Sequence, residues 1–404
     1  MNQKKRQNGM LVSALLDWFA QNARDLPWRR TQDPYAIWVS EIMLQQTQVK
    51  TVLPFWERWM RELPTIEAVA KASPDKIHKL WEGLGYYTRV RNLQKAAQII
   101  LKEREGEFPK TFDEVLALPG IGRYTAGAIC SIAFNQPMPI LDGNVVRVLT
   151  RVFGIAQDPR EKETNELLWG LAEELVNGAN RSCSLLPSPQ HTVFPQKPSP
   201  GLRPPSPAPA GEGLARRGGM LNCCSHLNQS LMELGALVCA PRNPQCLICP
   251  VKKLCVAFKE NRTEELPNLG KRAAATARRF VAFVVEHRGK FLVRQRPEKV
   301  VNAHMWEFPN VEANGNATSA AELFKTHFGF LPAELLPLPV VKHSITRYRI
   351  TLEAFRVSLE KPLKKPHARV MGTWLSHAKF DTVAFTAAHK KLANFEVNRM
   401  MSGR

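Results

Sequence analysis

The sequence predicts two folded domains of different class, an all-α domain followed by a separate α/β domain. From about residue 10 to residue 180, apolar residues recur at helical spacing, and short turns with Pro or Gly separate the runs. From Phe280 the pattern becomes β-rich, beginning with FVAFVVEHRGKFLVRQRP and its turn at Arg288 and Gly289. After Cys255 a charged stretch, KENRTEELPNLGKRAAATARR, has the composition of a linker, so the domain boundary is predicted there.

The composition indicates a globular protein with a polyanionic partner. The 404 residues are 44% hydrophobic and carry a net charge of +20. Such a surplus is typical of nucleic-acid-binding proteins, although a basic surface can also serve solubility alone. No apolar run reaches the roughly 18 residues that a membrane span requires. Asp17 interrupts the N-terminal apolar run and no small-residue cleavage site follows, so a surface helix is expected rather than an export signal.

The motif LPGIGRYTAGAI, residues 118–129, predicts a tight hairpin between two helices. Gly120 and Gly122 would let the backbone approach a ligand closely and turn its N–H groups outward at a helix N-terminus. Such a site binds phosphate without reading the base sequence. The alternative is a helix-capping turn without a ligand.

Two carboxylates are candidates for acid and anion chemistry. Asp142 precedes Gly143 and a helical run, where it could equally be a helix N-cap. Glu41 stands among apolar residues in WVSEIMLQQTQV, where it could equally be an exposed helical glutamate. Together they offer what cleavage of a glycosidic bond requires, namely an acid for the leaving group and an anion facing an oxocarbenium-like sugar.

Residues 181–224 interrupt the helical pattern. Nine prolines between Pro187 and Pro209 predict a disordered or polyproline-like insertion between two helices of one domain. The alternative is a ligand for a proline-binding module. Helical periodicity resumes with LNQSLMELGALVC, residues 227–239.

Four cysteines, with six, two and five residues between them, form a candidate metal site: Cys239, Cys246, Cys249 and Cys255. Clustered thiols in a chain without an export signal indicate a metal rather than disulfides. Only the second and third cysteines form a close pair, and no histidine lies within the run. The spacing alone is therefore compatible with either zinc or a [4Fe–4S] cluster.

The hairpin LPGIGRY, the aspartate in LDGNVVRV and the cysteine run, in this order, resemble the helix-hairpin-helix DNA glycosylases that hold an iron–sulfur cluster. Within that superfamily the chain resembles the adenine DNA glycosylases of the MutY family, through LPWRRTQDPYAIWVSEIMLQQTQV, WEGLGYYTRVRNL and NQSLMELGALVC. The resemblance covers nearly the whole chain except residues 181–224. It implies an all-α helix-hairpin-helix glycosylase domain with a [4Fe–4S] subdomain, followed by a Nudix-like α/β domain.

The resemblance implies a monofunctional glycosylase of base excision repair. Its substrate would be adenine opposite 8-oxoguanine or guanine in double-stranded DNA, and the enzyme would act as a DNA-associated monomer in a bacterial cytoplasm or a nucleus. The endonuclease III-like relatives carry a lysine directly after GxGR, where this chain has Tyr124, and a phenol cannot form the imine needed for strand cleavage. Two alternatives stay open: an endonuclease III-like glycosylase/lyase for oxidised pyrimidines, and a catalytically impaired lesion-binding protein.

The catalytic roles implied by the resemblance fall on four residues. Glu41 would protonate adenine, and Asp142 would stabilise the cationic or covalent sugar intermediate. Tyr124 and Asn144 would hydrogen-bond around these two carboxylates. The four cysteines would hold the cluster and would thereby fasten the basic loop at residues 250–254 beside DNA.

The binding roles implied by the resemblance fall on three further groups. The adenine pocket would be lined by Trp28, Arg29, Leu44 and Glu233. Gln46 and Tyr86 would enter the base stack as adenine is flipped out. Gly120 and Gly122 would hold the phosphate backbone.

The same resemblance sets the predicted domain limits. They are residues 1–180 and 225–256 for the glycosylase domain, 181–224 for the insertion, 257–278 for a linker and 279–400 for the Nudix-like domain. The region AAELFKTHFGF offers only Glu322 of the glutamates that Nudix hydrolysis needs, so no hydrolysis is expected. The lesion-reading Phe-Ser-His of the family is replaced by Ile345-Thr346-Arg347, in which Thr346 retains a hydroxyl.

Overall fold

A computed structural model describes six ranges of the chain, residues 3–184, 222–270, 274–313, 319–345, 347–361 and 372–402. Most of the predicted insertion, residues 185–221, and the candidate residue Thr346 lie outside these ranges. The Cα positions divide the chain into two compact units. The first unit comprises residues 1–42 and 107–271, and the second comprises residues 43–106 and 272–404.

The N-terminal part is helical, as predicted. Its helices are α1 (Gln3–Asn22), α2 (Pro34–Leu44), α3 (Val49–Glu62), α4 (Ile66–Lys71), α5 (Pro74–Trp81), α6 (Thr88–Arg104), α7 (Phe112–Leu116), α8 (Arg123–Phe134), α9 (Gly143–Phe153) and α10 (Lys162–Ser184). Two further helices follow residues 185–221: α11 (Cys223–Leu237) and α12 (Val256–Lys259). A 3-10 turn, Pro27–Arg29, precedes α2, and another, Cys246–Ile248, lies in the cysteine run.

The helix after the insertion begins at Cys223, so the predicted start at residue 227 is wrong. Cys223 and Cys224 are both buried, and the backbone N–H of Cys224 donates to the side-chain oxygen of Asn135 at 3.0 Å. The small cysteine side chains therefore extend the apolar face of α11 by a turn that the periodicity of the longer side chains does not reveal. Cys223 itself is disulfide-bonded.

Helix α11 is the centre of the first unit. It packs against α1, α8, α9 and α10, and its buried apolar residues include Leu227, Leu231 and Leu234. Gly235 allows a close approach to α9, because a Cβ atom at this position would lie 2.6 Å from the Cβ of Asn144. This packing fixes the start of α9, where Asp142 lies, against the helix that carries Glu233.

The C-terminal part of the second unit is an α/β domain. Its strands are β1 (Thr276–His287), β2 (Lys290–Gln295), β3 (Trp306–Glu307), β4 (Asn310–Glu312), β5 (Leu336–Ile345), β6 (Tyr348–Ser358) and β7 (Thr373–Ser376). Its helices are α13 (Ala320–Phe328) and α14 (Ala387–Ser402). Glu286 pairs with Phe291 across the predicted turn, in which Arg288 and Gly289 both have positive φ.

The sheet of this domain has the order β3-β2-β1-β6-β5, with β4 paired to β1 and β7 paired to β2. Strands β1 and β6 are parallel, and the other named pairs are antiparallel. Alternate residues of the buried strands enter two separate cores. One contains Phe308, Phe385 and Leu392, and the other contains Phe324 and Phe328 of α13. Among the described helices, none has both the length and the hydropathy to cross a membrane.

Candidate active site

Glu41 is buried in the first unit. It lies near the end of α2, and only 5% of its surface is exposed, so the alternative of an exposed helical glutamate is wrong. Burial raises the pKa of Glu41 to about 7, even though a hydrogen bond from Tyr124 opposes the rise. The negative charge of Asp142 adds to the rise. Near neutral pH, Glu41 can therefore hold a proton and give it up.

Tyr124 lies in α8, directly after the hairpin. Its hydroxyl donates to Oε2 of Glu41 at 2.9 Å and lies 3.3 Å from the sulfur of Met232. Burial, together with the nearby carboxylates of Glu41 and Asp142, raises the pKa of Tyr124 well above its usual range. The phenol therefore remains a hydrogen-bond donor throughout the physiological pH range.

Asp142 is the N-cap of α9, as one interpretation of the sequence expected. Its Oδ1 accepts a hydrogen bond from the backbone N–H of Val145 at 2.7 Å, and its Oδ2 accepts one from the amide of Asn144 at 2.9 Å. Burial raises the pKa of Asp142, but these two hydrogen bonds favour the anion. The capping role does not exclude a catalytic one, because the same carboxylate acts electrostatically on Glu41.

A second carboxylate cluster lies at Glu233 on α11, where the side chain is 1% exposed. Arg24 donates to Oε1 at 2.8 Å and to Oε2 at 2.6 Å, and Arg29 donates to the same two oxygens at 3.0 and 3.1 Å. Burial alone would raise the pKa of Glu233, but the two guanidinium groups outweigh it and lower this pKa to about 2. Arg29 also acts electrostatically on Glu41, which links this cluster to the first carboxylate. The neighbouring Trp28 is buried.

The four cysteines of the run line one small cavity. Its other lining residues are mainly apolar, with Arg151 and Lys252 as the basic ones. Arg151 donates to the sulfur of Cys239 at 3.3 Å and to the carbonyl of Ala240 at 2.8 Å. The four thiols are free. Within the described ranges no three His, Cys, Asp or Glu side chains are close enough to hold a single ion.

Two arginines on α9 connect the start of this helix with the cysteine run. Arg147 donates to the side-chain oxygen of Asn144 at 2.8 Å and to the carbonyl of Cys239 at 2.7 Å. Arg151, one turn later, contacts the sulfur of the same cysteine. One face of α9 thus holds both the backbone at Cys239 and the side chain of Asn144, which is the hydrogen-bond partner of Asp142.

The hairpin has the predicted form. Helix α7 ends at Leu116, and α8 begins at Arg123 with Gly122 as its N-cap in extended conformation. Gly120 has a φ of 78°, which favours glycine, whereas Gly122 does not need that freedom. The backbone N–H groups at the start of α8 are the hydrogen-bond donors that are predicted to bind phosphate.

Leu44, Gln46 and Tyr86 belong to the second unit. Leu44 is half-buried at the end of α2, and Gln46 is exposed. Tyr86 is 47% exposed, and both Gln46 and Tyr86 have a left-handed backbone, with φ of 55° and 48°. The first unit itself brings together the candidates Glu41, Tyr124, Asp142, Asn144, Arg29 and Glu233.

Three arginines that hold candidate residues or their loops were not predicted from the sequence: Arg24, Arg89 and Arg147. Arg147 could have been found from its position five residues after Asp142 on the same amphipathic helix. Arg24 has no such signal, since its partner Glu233 is 209 residues away in the chain.

Comparison with known proteins shows the family to which the chain belongs. Residues 39–174 match the HhH-GPD superfamily of base excision DNA repair proteins, and residues 280–394 match the NUDIX domain. The adenine DNA glycosylase of Homo sapiens is 33% identical, over 94% of this chain and 72% of that protein. The adenine DNA glycosylase of Buchnera aphidicola subsp. Acyrthosiphon pisum is 34% identical, over 73% of this chain and 72% of that protein. A solved thermostable thymine-DNA glycosylase is 26% identical with a TM-score of 0.50, and covers 64% of this chain and all of that one.

The matches to the HhH-GPD superfamily and to the NUDIX domain thus define a DNA glycosylase of base excision repair with an additional Nudix-like domain. More particularly, the chain belongs to the adenine DNA glycosylase family. The alternative of an endonuclease III-like enzyme is not favoured.

Proposed function

We propose that this protein is a monofunctional glycosylase that hydrolyses the N-glycosidic bond of adenine opposite 8-oxoguanine or guanine in double-stranded DNA. The observation that carries the proposal is the pairing of a protonatable Glu41 with a hydrogen-bonded Asp142. Their different surroundings separate an acid from an anion, which is the division of roles that glycosidic cleavage requires.

In this proposal Glu41 transfers its proton to a ring nitrogen of the extruded adenine. Protonation makes adenine a better leaving group, and positive charge develops on the sugar. The anion of Asp142, held by Val145 and Asn144, stabilises that cation until a water molecule adds to the sugar and loses a proton, which completes the hydrolysis. Tyr124 orients Glu41 through its 2.9 Å hydrogen bond.

Tyr124 also supports the monofunctional assignment. Its phenol occupies the position directly after GxGR, and it faces Glu41 rather than presenting an amine. Since no imine can form with a phenol, the abasic strand should remain intact.

The adenine pocket in this proposal is formed by Trp28, Arg29 and Glu233 of the first unit. Leu44 stays an adenine contact that the resemblance implies. The anion of Glu233, kept by Arg24 and Arg29, would accept a hydrogen bond from the exocyclic amine of adenine. Arg24 is therefore proposed as an additional pocket residue. Without it, the buried carboxylate of Glu233 would lose one of its two cationic partners.

Duplex DNA as the partner is supported by the net charge of +20 and by the N–H groups at the hairpin. Gly120 and Gly122 would hold the phosphate backbone, while Gln46 and Tyr86 would enter the base stack. Binding to undamaged duplex should therefore weaken steeply with salt, because counterion release dominates nonspecific affinity. The enzyme would act as a monomer, associated with the DNA of a nucleoid or a nucleus.

We propose that Cys239, Cys246, Cys249 and Cys255 hold a [4Fe–4S] cluster. Four free thiols share one cavity with apolar and basic lining, and these are the ligands and the surroundings that such a cluster uses. The bound group would fasten the loop at residues 250–254 in one shape. The chemistry of adenine release is assigned to the carboxylates and not to the cluster.

The Nudix-like domain is proposed to read the lesion and not to hydrolyse nucleotides. Glu322 accepts hydrogen bonds from the N–H and the hydroxyl of Ser319 at 3.0 and 3.1 Å, as part of a capping box on α13. Glu307 is held by Arg294 and Arg296. Both glutamates therefore have structural partners, and Thr346 remains the proposed lesion contact.

One experiment tests the activity. The purified protein is incubated with duplexes that carry adenine opposite 8-oxoguanine, and strand breaks are measured with and without later alkali. Breaks only after alkali are expected, with little adduct after borohydride. A duplex with an oxidised pyrimidine is the control for an endonuclease III-like activity. Tight binding without adenine release would support the impaired lesion-binding protein instead.

A further inference from the structure

Two exposed loops of the second unit carry side chains on an unfavourable backbone. The Gln46 loop, residues 45–48, joins α2 to α3, and the Tyr86 loop, residues 82–87, joins α5 to α6. Gln46 and Tyr86 both have positive φ, a backbone conformation that is unfavourable for residues other than glycine. Tyr86 is 47% exposed, so burial of its ring does not compensate. Strain at exposed positions persists only where the surroundings enforce it.

A single guanidinium group hydrogen-bonds to the backbone beside both residues. Nη1 of Arg89 donates to the carbonyl of Met43 at 3.0 Å and to that of Gln45 at 2.6 Å. Its Nη2 donates to the carbonyls of Leu84 and Gly85, each at 3.1 Å. One planar group therefore joins the residues on either side of Leu44 to the backbone directly before Tyr86.

Further contacts hold Arg89 in this position. Both of its terminal nitrogens lie 3.4 Å from the hydroxyl of Thr47, and the guanidinium lies over the rings of Trp81 and Tyr86 at 5.4 and 5.6 Å. The indole N–H of Trp81 also donates to the carbonyl of Gly85 at 3.1 Å. Although burial lowers the pKa of Arg89 to about 10, the side chain is still charged at neutral pH.

We propose that Arg89 is a positioning residue that keeps the Gln46 loop and the Tyr86 loop at one spacing, so that both side chains enter the base stack of DNA together. The inference rests on the proposed function and adds the residue through which the two loops act as a pair. An exposed aromatic ring and an exposed amide on fixed backbones suit insertion between bases. Lysine could not replace the guanidinium, because one ammonium cannot present the planar fork that reaches both loops.

The test is Arg89→Lys in two backgrounds, the wild-type protein and the Gln46→Ala/Tyr86→Ala double variant. Single-turnover adenine release is measured on a duplex with adenine opposite 8-oxoguanine. In the wild-type background we expect Arg89→Lys to slow release by about tenfold, a size typical of residues that act through shared contacts. In the double-alanine background we expect no further loss, since the side chains that Arg89 positions are absent.

The matched control is Arg91→Lys, the same chemical change two residues further along α6. Arg91 donates to the carbonyl of Ala303 and to the hydroxyl of Thr88, each at 3.1 Å, and to neither loop, so its variant should keep the wild-type rate. If Arg89→Lys does not fold, Gly85→Ala serves in its place. Gly85 has a φ of 72° with open space around a Cβ atom, so this variant strains only the Tyr86 loop.

A second readout separates this inference from the proposed activity. The fluorescence of 2-aminopurine opposite 8-oxoguanine rises when the base leaves the stack, whether or not its bond is cleaved. We expect Arg89→Lys to reduce this rise and Arg91→Lys to leave it unchanged. An equal loss from Arg89→Lys in both backgrounds, or no loss in either, would overturn the inference. A wild-type protein that extrudes 2-aminopurine but releases no adenine would overturn the proposed function alone.

Discussion

The hydroxyl of Tyr124 donates a hydrogen bond to Oε2 of Glu41 at 2.9 Å. This contact opposes the burial that raises the pKa of Glu41 to about 7. The residue that stands in place of a lysine therefore lowers the pKa of the proposed proton donor against the larger effect of burial. The pH dependence of the enzyme should report this contact directly.

We expect Tyr124→Phe to move the alkaline limb of the pH–rate profile to higher pH. The wild-type rate should fall by about tenfold per pH unit well above pH 7, because Glu41 loses the proton that it must donate. Since the hydrogen bond from Tyr124 lowers the pKa of Glu41, its removal should raise that pKa. The measurement is single-turnover adenine release from pH 5 to pH 9. An unchanged limb would show that the contact does not control the acid.

We expect Glu41→Gln to abolish adenine release and to stabilise the fold at alkaline pH. A carboxyl whose pKa rises from 4.5 to about 7 on folding favours the folded state while it is protonated, so its stability contribution is lost as pH rises from about 4.5 to about 7. The contribution of Glu41 that is lost over this pH range amounts to about 3 kcal/mol in the free energy of unfolding. Urea unfolding of both proteins at pH 5 and pH 8 measures it. Equal pH dependence in the two proteins would contradict the buried acid.

Asp142→Asn separates the two roles of Asp142. Asparagine caps a helix about as well as aspartate, so the variant should fold and bind DNA like the wild type. Adenine release should nevertheless fall by several powers of ten, because the charge that faces the developing cation is removed. The control is Asp142→Ala, which removes both cap and charge and should also lower the thermal midpoint. Wild-type release by Asp142→Asn would leave this residue as a cap alone.

Glu233→Gln should destabilise the protein and impair adenine binding. Glu233 neutralises Arg24 and Arg29 in a nearly buried site, and removal of one partner from a buried pair typically costs about 3–5 kcal/mol. Because the side chain of Arg24 is 34% exposed, the lower end of that range is expected. Denaturant unfolding measures the loss. Arg30→Gln, which breaks the exposed pair with Asp25, is the matched control and should change stability little.

The purified protein should contain about four irons per chain and absorb broadly in the visible range, as a four-thiolate cubane implies. Cys246→Ser should reduce iron content, folding and DNA affinity together. Cys130→Ser is the control, since this free and buried cysteine lies outside the cavity. Stoichiometric zinc without iron would contradict the assignment.

Several features could be predicted from the sequence because they depend on neighbours along the chain. The hairpin around Gly120, the capped start of α9 at Asp142 and the strand turn at Arg288 and Gly289 are local patterns of turn and cap residues. The order of hairpin, aspartate and cysteines was sufficient to indicate the family. The start of α11 was predicted too late, because Cys223 and Cys224 do not themselves add a recognisable helical pattern of apolar residues.

Only the tertiary structure decided how the candidate residues act on one another. The burial of Glu41 and its interactions with Tyr124, Asp142 and Arg29 determine its proton near neutral pH, and these three residues lie in other segments of the chain. Glu233 meets Arg24 across 209 residues of chain, and Arg89 joins two loops that no motif connects. Periodicity and spacing determine which face of a helix is apolar. The charge and position of a side chain depend instead on desolvation and on distant hydrogen bonds. Desolvation and distant hydrogen bonds arise only when separate segments of the chain come into contact.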